Sequence, residues 1–125
     1  MSYNRDWFEE VLGGNSLEKP GIYQWEIDGI PVYVGRYTHA SRPIGDYVRN
    51  VARILDDLPY RPSDHGGFRI VHRELAQAVK RRSQIRLLIL ENCPPEHLNA
   101  RERWYIDQLP AAHRLNGRRR IRPLA

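Results

Sequence analysis

Glu102 is a carboxylate in the wrong place for a solvated one. Leu98, Tyr105, Ile106 and Leu109 mark the apolar stripe of a helix predicted over about residues 95–109. At about 100° per residue, Glu102 falls in the middle of that stripe, whereas Arg101 and Arg103 fall well off it. A carboxylate drawn into an apolar face is costly unless a cation or a metal pairs with it. Two readings follow: a structural Glu–Arg pair, or a ligand for a hard divalent ion, magnesium or manganese. Two tyrosines are the next candidates. Tyr23 closes Gly21-Ile22-Tyr23 and Tyr33 opens Tyr33-Val34-Gly35, so each phenol lies near a glycine in a strand-like run. Glycine within a strand marks a close approach by backbone or ligand. Otherwise the pair is cross-strand aromatic packing.

Cations surround these groups in sequence. The net charge is +5 and the excess is arginine, since Lys19 and Lys80 are the only lysines. Arginine suits bidentate contacts to phosphate. Lys80-Arg81-Arg82 and Arg118-Arg119-Arg120 with Arg122 form two basic clusters. On a small basic chain they point to nucleic acid as a partner. Arg36, directly after Gly35, is a further candidate for a phosphate contact.

Positioning these residues requires a small mixed fold. The 125 residues suit one domain, 1–125. Residues 5–12 read as a short amphipathic helix stopped by Gly13-Gly14. Strands are predicted at 21–26 and 30–36, joined at Asp28-Gly29, a hairpin signal. A two-residue turn would pair Tyr23 with Val34 and send the tyrosines to opposite faces. A three-residue loop with a bulge at Gly29 pairs Glu26 with Ile30 and Tyr23 with Tyr33. It also gathers Ile22, Ile30, Val32 and Val34 on one face, so this register is the expectation. Helices follow from Pro43 to Leu58 and from Phe68 to about Arg82, then an apolar strand over Ile85–Glu91, then the helix that carries Glu102. This is an α/β or α+β domain with a three-stranded antiparallel sheet flanked by helices. The basic tail spans 110–125. No apolar run is long enough to cross a membrane, the start carries no apolar signal region, and Cys93 is the lone cysteine. The expected setting is cytoplasmic.

The two tripeptides, the order of elements and the stretch Ala100-Arg101-Glu102-Arg103-Trp104-Tyr105-Ile106 resemble the GIY-YIG nucleases over about residues 20–117. The resemblance implies metal-dependent hydrolysis of DNA phosphodiesters, leaving 5′-phosphate and 3′-hydroxyl ends. It implies one Mg2+ or Mn2+ ion on Glu102, Tyr23 as general base and Tyr33 orienting water and phosphate. It implies a catalytic arginine shortly after the second motif. Arg42 and Arg49 are the candidates, and Arg42, at the helix entrance, is preferred. In the family a histidine or tyrosine follows that arginine by four residues; here Tyr47 follows Arg42 by five. A free phenol near pKa 10 is a poor base, so Arg42 or the metal must lower it. Asn116 resembles the asparagine that braces the family's site, with Gly21 and Gly35 supporting the tyrosines. A non-catalytic nucleic-acid-binding module with the same fold is the alternative.

The basic tail generates a first prediction. Each phosphate it contacts should add roughly 0.9 to the slope of log affinity for DNA against log salt. Replacing Arg118, Arg119 and Arg120 by alanine therefore flattens that slope by about two to three units when all three bind. An unchanged slope in a salt titration would make the tail solvated surface and move the DNA path to Lys80, Arg81 and Arg82.

Overall fold

The structure is a computed structural model that describes residues 5–39, 41–60, 67–110 and 114–116, Ser41 by its backbone alone. The sheet has four strands rather than three: β1 (Glu9–Val11), β2 (Gly21–Ile27), β3 (Ile30–Tyr37) and β4 (Ile85–Asn92), in the order β1-β4-β2-β3. Among the described residues three α-helices accompany it: α1 (Asp46–Leu55), α2 (Ile70–Arg81) and α3 (Leu98–Gln108). The mixed α+β class stands. None of the described helices is long and apolar enough to cross a membrane.

The added strand corrects the expected first helix. Glu9, Glu10 and Val11 pair in parallel with Arg86, Leu87 and Leu88. An eight-residue helix is marginal in water, and β4 would otherwise leave an open edge. Trp7 stacks on buried Trp25 and Phe8 meets it edge-on, at 5.6 and 5.2 Å between ring centroids, contacts that a short surface helix does not offer.

The hairpin also departs from expectation. Asp28 (φ 51°) and Gly29 (φ 81°) make a two-residue turn, and Ile27 pairs with Ile30. Two consecutive positive φ values define the turn whose twist suits a hairpin, and Asp-Gly adopts it readily. The register then shifts: Glu26 faces Pro31 while its neighbour Trp25 faces Tyr33, so Val32 is an extra residue on β3. Pro31 has no N–H for the ladder, which makes this a natural place for a bulge on an edge strand. Tyr23 consequently lies opposite Gly35, not Tyr33. The bulge restores the shared face by a different route, and the two phenol rings sit diagonally, 6.2 Å apart. The expected apolar face is corrected too. Ile22 and Val34 share a face, Val32 joins the tyrosine side, and Ile30 is exposed.

Helices cover both faces. Tyr23, Trp25 and Tyr37 pack with Tyr47, Val48, Val51, Val71 and Leu75 beneath α1 and α2. Ile22 and Val34 pack with Leu98 and Leu109 beneath α3. The expected helix over 43–58 is shorter, because a π-type turn at Ser41–Gly45 precedes α1 and Asp57 leaves the helical region at φ 60°. A 3-10 turn, Pro95–His97, leads into α3.

Gly35 is fixed by contact rather than by turn geometry. A Cβ there would overlap the ring of Tyr23, which is fully buried and hemmed in by the rings of Tyr33, Tyr37 and Tyr47. Gly35→Ala should destabilise the fold by about 1–3 kcal/mol, the usual scale of overpacking. Urea denaturation checks this; wild-type stability in the mutant would mean that the Tyr23 ring has room to move.

Candidate active site

Tyr23, Tyr33, Gly35, Arg36, Arg42, Arg69 and Glu102 line one cleft of about 210 Å³ over the edge strand β3. A larger groove of about 630 Å³ shares Tyr33, Arg36, Arg69 and Glu102, and adds Asn99, Arg103, Arg114 and Asn116. Most of the residues singled out in the sequence therefore meet. Gly21 does not line the cleft; it is packed between Asn92 and Tyr37. Arg118, Arg119, Arg120 and Arg122 lie outside the described residues.

Arg42 rather than Arg49 reaches the cleft. Both pair with Asp46, at 3.2 and 3.4 Å. The odd five-residue spacing to Tyr47 has a local cause. Arg42 lies in the π-type turn, where residues five apart stack as residues four apart do in an α-helix. Tyr47 is fully buried, and its hydroxyl lies 2.6 Å from that of Tyr23.

Arg69 was not anticipated. It caps α2 with extended backbone (φ −75°, ψ 160°). Its Nη1 donates to Tyr33 Oη at 2.8 Å and its Nη2 to Tyr47 Oη at 3.2 Å. Its guanidinium also stands against both rings, 5.7 and 5.4 Å from their centroids. The sequence signal was weak: one arginine before an apolar helix, far from either tripeptide. His72 anchors it. The backbone N–H of Arg69 donates to His72 Nδ1 at 3.1 Å, a side chain three residues on satisfying the residue before the helix. The His72 ring is buried against Tyr47.

Glu102 is less buried than the stripe implied. Its side chain is 24% exposed and faces Arg36 at 3.6 Å, an ion pair too long to be a hydrogen bond. Arg101 is likewise not off the packed side. It grips Glu91 with Nε and Nη2, at 2.8 Å for the shortest contact, and Tyr105 donates to the same carboxylate. Asn116 completes the site from the far side. Its Oδ1 accepts from Val34 N–H at 2.9 Å and its Nδ2 donates to Val34 C=O at 2.6 Å. It thus takes the place of a neighbouring strand on the free edge of β3, between Tyr33 and Gly35.

Electrostatics bears on the expected chemistry of Tyr23. Burial, then the neighbouring Tyr47 and Tyr33, push its phenol well above the ordinary value, while Arg69 pulls the other way. Arg42 is not among the groups that lower it. Tyr47 is raised too, mainly by burial. Both phenols are thus harder to deprotonate than a free one, which weighs against Tyr23 as a base for water.

A metal is testable only against the donors present. Among the described residues no cluster of three or more His, Cys, Asp or Glu side chains exists. Of the described carboxylates Glu102 alone lines the cleft, and its loose pair with Arg36 leaves carboxylate lone pairs open. That fits an ion that keeps several waters and takes one protein carboxylate. No protein-family model matches the chain, and no curated protein or solved structure matches it.

His72 supplies a pH prediction. Burial first, then Arg69, Arg49, Arg42 and Arg73, lower its pKa from 6.5 to about 3. A folded-state pKa below the unfolded one means the unfolded chain binds the proton more readily. Stability should therefore be full above about pH 6.5 and fall as the pH drops toward 3. Urea midpoints across that window check this, with His72→Phe expected to lose part of the slope. An imidazole that protonates near pH 6.5 by NMR would refute it.

Proposed function

We propose that the protein is a divalent-metal-dependent DNA endonuclease of the GIY-YIG type, cutting phosphodiesters by water attack. The observation that carries this reading is the convergence of two tyrosines, three arginines and a single carboxylate over one edge strand. Guanidinium groups and phenols offer donors to a phosphate, and such donors do most for catalysis where charge develops on oxygen. Glu102 would hold one Mg2+ or Mn2+ ion, which would supply charge stabilisation to the leaving oxygen.

The chain's own residues then divide the work. Arg36 and Arg42, both about half exposed, meet the DNA backbone at the cleft mouth. Tyr33 directs its hydroxyl at the phosphate and orients the attacking water. Tyr23 serves as a hydrogen-bond donor, since its buried phenol keeps its proton. Asn116 keeps β3 straight beneath them. Cleavage on this reading leaves 5′-phosphate and 3′-hydroxyl ends.

A second reading is a nucleic-acid-binding module without catalysis, and the Arg36–Glu102 pair favours it by giving the carboxylate a structural use. Labelled linear, branched and nicked DNA, incubated with magnesium and with chelator, separates the two. Binding without metal-dependent cutting would establish the module.

Glu102→Ala should abolish cleavage and leave DNA binding intact. Its partially exposed, long ion pair contributes at most about 1 kcal/mol, so the fold should survive. Cleavage at the wild-type rate by a folded mutant would remove Glu102 from the mechanism.

A further inference from the structure

We propose that Arg69 holds a phosphodiester oxyanion of the substrate, and that it turns the hydroxyl protons of Tyr33 and Tyr23 toward that same oxygen. The identity of the anion rests on the nuclease reading; the need for an anion does not.

Among the described residues, Arg69 is a half-buried cation with only neutral acceptors. The other arginines of the small cleft each face a carboxylate: Arg36 faces Glu102 and Arg42 faces Asp46. Among the described residues Arg69 has none, and its two short side-chain bonds end on phenol oxygens. A buried charge without a counter-charge is costly. A guanidinium has five N–H donors, and the two phenols occupy two of them. His72 Nε2, 3.4 Å from Nη2, takes no other. Its Nδ1 already accepts from the Arg69 backbone, so a neutral ring carries its proton on Nε2. Donors are left over on a side chain that borders both the cleft and the larger groove.

Hydrogen-bond direction follows from the same arginine. It can only donate, so Tyr33 Oη and Tyr47 Oη both accept from it. Tyr33 must send its own proton elsewhere, and it lines the cleft. Tyr47 is fully buried and has the hydroxyl of Tyr23, at 2.6 Å, as its other partner. It therefore donates to Tyr23. Tyr23 accepts there, and its proton is left for the cleft it borders beside side-chain-free Gly35. Three donors, from Arg69, Tyr33 and Tyr23, then converge on one oxyanion without reorganising, the arrangement that stabilises charge most. Burial raises the Tyr23 and Tyr47 phenols, so both keep their protons, and this works in the same direction.

Inorganic phosphate, titrated in chelator so that no DNA or metal is involved, is the probe. NMR should show the Arg69 Nε–H resonance moving as phosphate binds. Arg69→Met should weaken phosphate roughly tenfold or more, the scale of a charge-assisted hydrogen bond. Tyr33→Phe should weaken it by about three- to tenfold. Arg69→Lys, which keeps the charge but cannot span two phenols, should fall between Arg69→Met and wild type. Arg49→Met, outside the cleft, should change nothing. Should Arg69→Met fail to fold, the Arg69 resonance and Tyr33→Phe carry the test. An Arg69 resonance that ignores phosphate, or a folded Arg69→Met that binds as wild type does, overturns the proposal. Phosphate bound at Arg69 in a protein that never cuts DNA would sink the nuclease reading and keep this one. Metal-dependent cutting with Arg69 untouched by phosphate would do the reverse.

Discussion

One extra residue in β3 holds the site together. Side chains alternate faces along a strand, so the two-residue Asp28-Gly29 turn by itself would separate Tyr23 from Tyr33. Val32 interrupts the alternation beside Pro31, where the ladder already lacks a donor. The phenols return to one face, but as diagonal neighbours, with Gly35 opposite Tyr23. The Tyr23 ring can then lie across the backbone, and its hydroxyl reaches Tyr47 on α1. Without the bulge, α1 and β3 would present no common phenol cluster, and Arg69 would have nothing to bridge.

Arg69 ties this cluster to a third element. A single guanidinium joins β3 to α1 from the start of α2, and His72 fixes its backbone. The arrangement is electrostatically one-sided, with three arginines against one carboxylate in the small cleft. Excess positive charge at a concave site destabilises the empty protein and favours an anionic visitor. Burial, and after it the same excess, discourages His72 from protonating, which keeps its Nδ1 available as an acceptor for the Arg69 backbone. Site and scaffold therefore share one charge balance.

Much of this was legible in the residues themselves. Strands β2 to β4, the later helices, the glycine beside each phenol and the position of Glu102 on the packed side of α3 all follow from local periodicity and turn chemistry. Arg42 could be preferred over Arg49 because helical phase alone turns Arg49 outward. Asn116 was found only by resemblance, and its contact to both polar groups of Val34 gives the physical reason for an amide there.

What the sequence by itself determined is the set of elements from β2 onward and the identity of most cleft residues, because these depend on spacing along a few turns or strand residues. Only the tertiary structure decided how far the carboxylate is buried, which face each phenol takes, and which cation governs them. Residues 5–12 became an edge strand because β4 and Trp25 offered more than a lone helix could. Arg69 and Tyr47 became partners of the tyrosines across 36 and 24 residues of chain. Burial raises the Tyr23 phenol more than Arg69 lowers it. Desolvation and long-range contact are properties of the packed molecule, and no local window of sequence carries them.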